Sequence, residues 1–205
     1  MDKNSEIIER LRTEYSDVRS ALVYENPFEL LVATILAAQC TDVRVNIVTK
    51  ELFRRYKTPM ELARADVAEV ESYIKTCGLY KNKAKNLVEC AKRLVSEYGG
   101  VVPCTMEELV TLAGVGRKTA NVVLAFAFGL PAFPVDTHVG RVSNRIGFAH
   151  SDNPNVVERQ ATQIIKKEDW SQAHHWLIWH GRRVCKAQKP LCDICCIADL
   201  CPYNK

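Results

Sequence analysis

Apolar positions recur every three or four residues over most of the chain, and no stretch alternates strictly enough to read as a strand. Pro27 opens PFELLVATILAAQ, apolar enough for a buried helix. A second helix begins after Thr41 and runs to about Tyr56, with Val45, Val48, Leu52 and Phe53 as its core stripe. Thr58-Pro59-Met60-Glu61 is a capping box with proline at the first helical position, so a short helix follows. Asp66 and Glu69 start another that ends near Gly78. From about Lys81 to Tyr98 one face carries Ala84, Leu87, Val88, Ala91, Leu94 and Val95, and Gly99-Gly100 stops it. Thr105-Met106-Glu107-Glu108 is a second capping box, opening a helix to about Ala113. Gly114-Val115-Gly116 then turns into a helix from Arg117 to about Phe128. Further helices follow Thr137, Asn153-Pro154 and Ser171. The pattern predicts an all-α protein of about ten helices, with a boundary at 130–134, where Pro131 and Pro134 flank a short link.

Composition fits a globular chain: of 205 residues, 47% are hydrophobic and 25% charged, which excludes disordered, collagen-like and rod-like classes. Net charge is only +4, too small to announce a nucleic-acid binder. Residues 133–205 nonetheless hold +3 of it, with 10 Lys/Arg against 7 Asp/Glu. The start, MDKNSEIIERLRTEY, is charged throughout and lacks the apolar stretch of a signal peptide. No run of 18 apolar residues exists to span a membrane. Five of the nine cysteines (Cys185, Cys192, Cys195, Cys196, Cys201) fall in the last 21 residues, which suits a metal or iron–sulfur site rather than a disulfide scaffold. The expectation is a reducing, cytoplasmic setting.

The segment LAGVGRKTANVVLAF reads as helix, hairpin, helix. Gly114 and Gly116 allow a sharp turn with positive φ and a close backbone approach. The free N–H groups of the next helix then point outward, a geometry that binds phosphate. An ordinary αα-hairpin with glycines at its corner is the plainer reading. Lys118 stands in the first turn of that helix, where the positive dipole end disfavours an ammonium and favours a neutral amine. A solvated or phosphate-binding lysine is the alternative. Asp136, in Pro134-Val135-Asp136-Thr137-His138-Val139, lies just before a helix start, and taken alone it reads as an N-cap.

Cys185-x6-Cys192-x2-Cys195-x5-Cys201 places four thiolates within 17 residues. With one CxxC instead of the two knuckles of a zinc ribbon, the spacing suits a [4Fe–4S] cluster better than zinc, which stays open. Cys196 is an unassigned extra. Cys40, Cys77, Cys90 and Cys104 read as small core hydrophobes. The loop KAQKPL, with Lys186 and Lys189, sits well against phosphates if held rigid, and is otherwise a solvated loop. His174, His175 and His180 read as helix packing.

Taken together and in order, LAGVGRKTANVV, PVDTHVGRV and the four-cysteine spacing resemble the endonuclease III family of helix–hairpin–helix, iron–sulfur DNA glycosylases. The resemblance runs from AAQCTD to the final cysteine. It implies a six-helix barrel with the hairpin at residues 20–132. A second helical domain, 1–19 with 133–205, would carry the [4Fe–4S] cluster on Cys185, Cys192, Cys195 and Cys201, with a DNA-binding cleft between the domains. Lys118 matches the catalytic lysine and Asp136 the catalytic aspartate of a base-excision repair enzyme, a DNA glycosylase and AP lyase. Such an enzyme removes oxidised or ring-saturated pyrimidines through a Schiff base and cleaves 3′ of the abasic site by β-elimination, and neither step requires redox chemistry. The partner is double-stranded DNA holding a damaged pyrimidine or abasic site, met by a monomer. By the same resemblance Gln39 fills the gap left by the flipped nucleotide and Leu79 is the apolar wedge. Gly114, Gly116 and Arg117 meet a phosphate, with a monovalent cation at the hairpin when DNA is bound. His138 neighbours the pocket, and Lys186 and Lys189 touch DNA. Lys81, Lys83 and Lys85 either touch the backbone or solvate a helix start. The family usually has proline where this chain has Ala113.

Two rivals are weighed against that reading. A monofunctional adenine glycosylase shares fold and cluster but lacks the lysine, and has a catalytic Glu where this chain has Thr34. A non-enzymatic DNA-binding module would have no use for Lys118 with Asp136.

Overall fold

The computed structural model describes residues 2–18 and 20–204, and no strand occurs among them. Eleven α-helices lie among the described residues. They are α1 (Lys3–Glu14), α2 (Pro27–Ala37), α3 (Asp42–Arg55), α4 (Pro59–Ala63), α5 (Val67–Ile74), α6 (Tyr80–Tyr98), α7 (Met106–Leu109), α8 (Arg117–Ala127), α9 (Thr137–Ile146), α10 (Pro154–Ile164) and α11 (Trp170–Arg183). Three 3-10 turns accompany them, at Lys167–Asp169, Cys192–Ile194 and Pro202–Asn204. The helix beyond the expected ten is α1, hidden by its charge. Only Ile7 and Leu11 form its buried stripe, and Asp2 caps it by accepting from the N–H groups of Asn4 and Ser5. No helix of the described residues is long and apolar enough to cross a membrane.

Chain contacts divide the protein into two compact units, Ser20–Leu130 and Met1–Arg19 with Pro131–Lys205. In Ser20–Leu130, α2 packs on α3, α6 and α8, α4 and α5 pack on α6, and α7 packs on α8. Helix α2 buries every residue from Leu30 to Leu36, and each fully buried Leu or Ile is worth about 1.5–3 kcal/mol. The box at Thr58 is complete: Thr58 Oγ1 accepts from the Glu61 N–H, and Glu61 accepts from the Thr58 N–H. At Thr105 half the box forms. The hydroxyl accepts from the Glu108 N–H but donates to the Glu108 carboxylate, which is therefore turned toward the hydroxyl.

In the other unit α9 packs on α10 and α11, and α1 packs on α11. Ile7, Leu11, Val139, Val142, Phe148 and Leu177 are central to its core. His174, His175 and His180 are buried in α11, as helix packing requires. The His174 Nδ1 contacts the Pro134 carbonyl at 2.8 Å, so it is the protonated ring nitrogen.

Candidate active site

The hairpin between α7 and α8 is anchored by Val115, which is buried and donates its N–H to the Leu112 carbonyl at 3.1 Å. Gly114 is required twice over. Its φ is +78°, and a Cβ there would stand 3.1 Å from Asn86 Cβ and 3.3 Å from Ile35 Cγ2. Gly116 corrects the expectation of positive φ at both glycines. Its φ is −95°, and a Cβ would meet nothing within 4 Å. The fold does not demand a glycine there; open space in front of the helix start is what its hydrogen provides. Gly116 is the N-cap of α8 and supplies no side-chain cap, so the first-turn amides are receptive to an anion. Arg117 and Lys118 follow at the first two helical positions, both exposed.

Three non-glycine residues among those described have positive φ: Gln39 (+54°), Leu79 (+59°) and Lys189 (+49°). All three were singled out from the sequence as DNA contacts, and strained backbone of this kind gathers at functional sites. Gln39 and Leu79 lie in touching turns of one unit, since a Cβ on Gly78 would sit 3.2 Å from the Gln39 carbonyl oxygen. Leu79 keeps 58% of its surface in solvent, unusual for a leucine. Lys81 and Lys85 are exposed, but Lys83 is not a candidate for the DNA backbone. It is 4% exposed and donates from Nζ to the Leu36 carbonyl at 2.9 Å, satisfying the end of α2.

In the other unit Asp136 is the N-cap of α9, as its position suggested. Its Oδ1 accepts from the His138 and Val139 N–H groups, each at 2.8 Å, which fixes the carboxylate's orientation through one oxygen. His138 follows, and Arg141 Nη2 approaches its Nδ1 at 3.2 Å. Burial lowers the His138 pKa, opposed by Asp136 and assisted by Arg141 and Arg182.

The four predicted cysteines line one pocket, with Ile146, His180 and Leu191 among the other walls. Burial, then the nearness of Cys195, Cys185 and Cys201, raises the Cys192 pKa. No three His, Cys, Asp or Glu side chains among the described residues converge as ligands of one ion. Four thiolates set around one pocket are the donor set that a polynuclear iron–sulfur cluster takes. The donor set and the pocket therefore fit an iron–sulfur cluster.

Several residues that hold this pocket gave no sequence signal. Arg145 Nη1 donates to the Lys186 carbonyl at 2.7 Å and lies 3.4 Å from Cys185 Sγ, while Nη2 donates to the Ala187 carbonyl at 2.9 Å. Its guanidinium stacks over Tyr203 at 4.4 Å. Arg141 donates to the Gly181 and Cys185 carbonyls. The His180 ring bridges Tyr15 OH, 3.0 Å from Nδ1, and Cys195 Sγ, 3.7 Å from Nε2. The nearness of Cys196, ahead of that of His180, lowers the Cys195 pKa to about 4. Lys186 and Lys189 are exposed on the loop so held. The core role expected of the remaining cysteines holds for Cys77 and Cys90, which are buried. Cys104 is exposed in the extended link before Thr105, and Cys40 is half-buried. Thr34 is buried and donates to the Leu30 carbonyl, so it offers no acid.

Residues 32–167 match the model of the HhH-GPD superfamily base excision DNA repair proteins, and residues 185–201 match the iron–sulfur binding domain of endonuclease III. The chain belongs to the endonuclease III family. Endonuclease III of Rickettsia conorii is 51% identical over 185 residues, covering 90% of this chain and 88% of that protein. Endonuclease III of Escherichia coli K12 is 45% identical over 203 residues, covering 99% and 96%. A solved structure of a trapped endonuclease III–DNA covalent intermediate superposes with a TM-score of 0.93 at 45% identity, covering 100% of this chain and 97% of that one. As an endonuclease III family member the chain carries a [4Fe–4S] cluster, and its fold is that of the helix–hairpin–helix glycosylases.

Proposed function

We propose that the protein is a bifunctional DNA glycosylase and AP lyase that removes oxidised or ring-saturated pyrimidines from double-stranded DNA inside the cell, at the nucleoid. The observation that carries this is Lys118, an exposed lysine in the first turn of α8 on a hairpin whose Gly116 is glycine for no reason internal to the fold. A flipped nucleotide is required because the glycosidic bond is out of reach in the stack. Leu79 enters the stack as the wedge and Gln39 takes the vacated place. The amides at Gly114–Gly116, with Arg117, hold a phosphate, assisted by a monovalent cation when DNA is bound.

Lys118 Nζ attacks C1′ of the deoxyribose, the glycosidic C–N bond breaks, and the base leaves with the electron pair. Asp136 accepts the proton shed by the amine and balances the positive charge developing on the sugar. The ring-opened sugar is then linked to Lys118 as a Schiff base. Loss of a C2′ proton expels the 3′ phosphate by β-elimination, and water releases the lysine. His138, whose pKa burial lowers, borders the pocket. The cluster, held by Cys185, Cys192, Cys195 and Cys201, supplies a rigid cross-link when bound. With Arg145 it fixes the loop that presents Lys186 and Lys189 to phosphates.

A panel of duplexes, undamaged or holding thymine glycol, 5-hydroxycytosine, an abasic site or 8-oxoguanine, tests the reading by separate assays of base release and nicking. Release and 3′ nicking at the two pyrimidine lesions, nicking alone at the abasic site and neither at undamaged DNA are expected. Binding without release at either pyrimidine lesion contradicts it.

A further inference from the structure

Cys40 follows Gln39 and Cys77 precedes the Gly78-Leu79 turn. Their side chains are near enough to influence one another electrostatically, and the main chains beside them touch, as the 3.2 Å approach of the Gln39 carbonyl to the Gly78 Cβ position shows. Each cysteine also closes the end of a helix: the Cys40 N–H donates to the Ala37 carbonyl at 3.1 Å, and the Cys77 N–H to the Ile74 carbonyl at 2.8 Å. Two neighbouring thiols, on main chains that touch, are set to close into a disulfide with little backbone movement. The reaction assigned to Lys118 and Asp136 uses neither of them.

We propose that Cys40 and Cys77 form a reversible, peroxide-driven disulfide that locks the Gln39 turn to the Leu79 turn. Cys77 is 2% exposed and Cys40 half-buried, so Cys40 is the sulfur that meets the oxidant. Burial, and then the nearness of Cys40, holds the Cys77 thiol up to about 11, so Cys77 stays protonated until the second step. In the first step the Cys40 thiolate attacks hydrogen peroxide, the O–O bond breaks, and a sulfenic acid and hydroxide form. Hydroxide takes the Cys77 proton, the Cys77 sulfur attacks that of Cys40, the S–S bond forms and hydroxide leaves, to be neutralised by the proton first lost from Cys40. Two thiols and one peroxide thus give one disulfide and two waters. A dithiol reductant reverses the change. The disulfide is independent of what Gln39 and Leu79 do; its consequence, a loss of grip on DNA because two turns that enter the duplex are tied together, rests on the roles proposed for them.

The test uses the intact iron–sulfur protein, exposed to stepwise hydrogen peroxide, blocked with iodoacetamide, digested without reductant and mapped by mass spectrometry. A peptide pair joined through Cys40 and Cys77, two hydrogens lighter than its parts, should appear before the visible absorption of the cluster declines. Affinity for an abasic-site duplex should fall about tenfold and return with dithiothreitol, while Cys40→Ser and Cys77→Ala proteins keep their affinity at the same dose. Oxidation of exposed Cys104 with no joined pair overturns the proposal. A joined pair with unchanged affinity overturns the locking. Failure of the glycosylase reading would look different: the reduced, unmodified protein would release no base.

Discussion

Gln39 and Leu79, both in left-handed backbone, stand on turns in direct contact, with the Gln39 carbonyl 3.2 Å from the Cβ position of Gly78. A non-glycine residue in that conformation costs about 1–2 kcal/mol. Two such residues side by side, one an exposed leucine, are hard to account for by stability. They make sense as a rigid two-pronged edge, one prong polar and one apolar, aimed at a partner.

Leu79→Ala separates those accounts. Alanine keeps the left-handed strain and removes a side chain that is mostly in solvent, so unfolding free energy should stay within about 1 kcal/mol of the parent. Affinity for lesion-bearing duplex should fall about tenfold or more, because unstacking a base step costs a few kcal/mol that the wedge no longer offsets. Denaturant titration and duplex binding together check this, and a stability loss with unchanged binding would reverse the assignment.

Lysines of similar sequence appearance should behave in opposite ways. Lys83→Ala leaves the Leu36 carbonyl without its donor and a gap in the core, at a cost of about 2–4 kcal/mol. The salt dependence of DNA binding should not change. Lys186→Ala and Lys189→Ala should leave stability nearly intact and each reduce the slope of log K against log salt by about 1. Urea unfolding and salt-titrated binding measure both quantities.

Arg145→Met removes three contacts from the 185–187 segment while keeping the apolar stem. The visible absorption of the cluster should decay faster under a chelator, and DNA binding should weaken several-fold. The rate of Schiff-base formation at saturating DNA should be unchanged, since Arg145 belongs to the loop's support and not to the chemistry.

Acid stability has one clear source in His175. Burial lowers its pKa to about 4, against about 6.5 unfolded. Between those values the unfolded chain binds a proton that the folded chain refuses, so stability is present above pH 6.5 and is lost as pH falls toward 4. The full effect is up to about 3 kcal/mol. In His175→Leu this part of the slope should vanish, measured as the difference in unfolding free energy between variant and parent across that window.

Helix positions were legible because caps and stops are local: Thr58, Asn153 and Gly99 act within one turn of themselves. Helix α1 was not, because two buried residues, Ile7 and Leu11, are too thin a stripe to show through its charges. The chemistry-bearing motifs, the hairpin with Lys118 and the four cysteines, were legible from spacing. Their supports were not. Arg145, Arg141, His180 and Tyr15 reach the cluster pocket from distant segments, a relation that no spacing encodes. Lys83 shows the same limit from the other side, since its burial follows from where the end of α2 falls. Gly114 and Gly116 look alike in sequence, and only the contacts with Asn86 and Ile35 separate a glycine the fold needs from one it does not.

The identity of the nucleophile is the central claim. Borohydride reduction of the protein mixed with a duplex bearing one abasic site should trap a covalent complex whose DNA-linked peptide contains Lys118, and Lys118→Ala should trap none while still binding the duplex. A Lys118→Ala protein that traps at the parent rate, or a parent that binds and never traps, would contradict it.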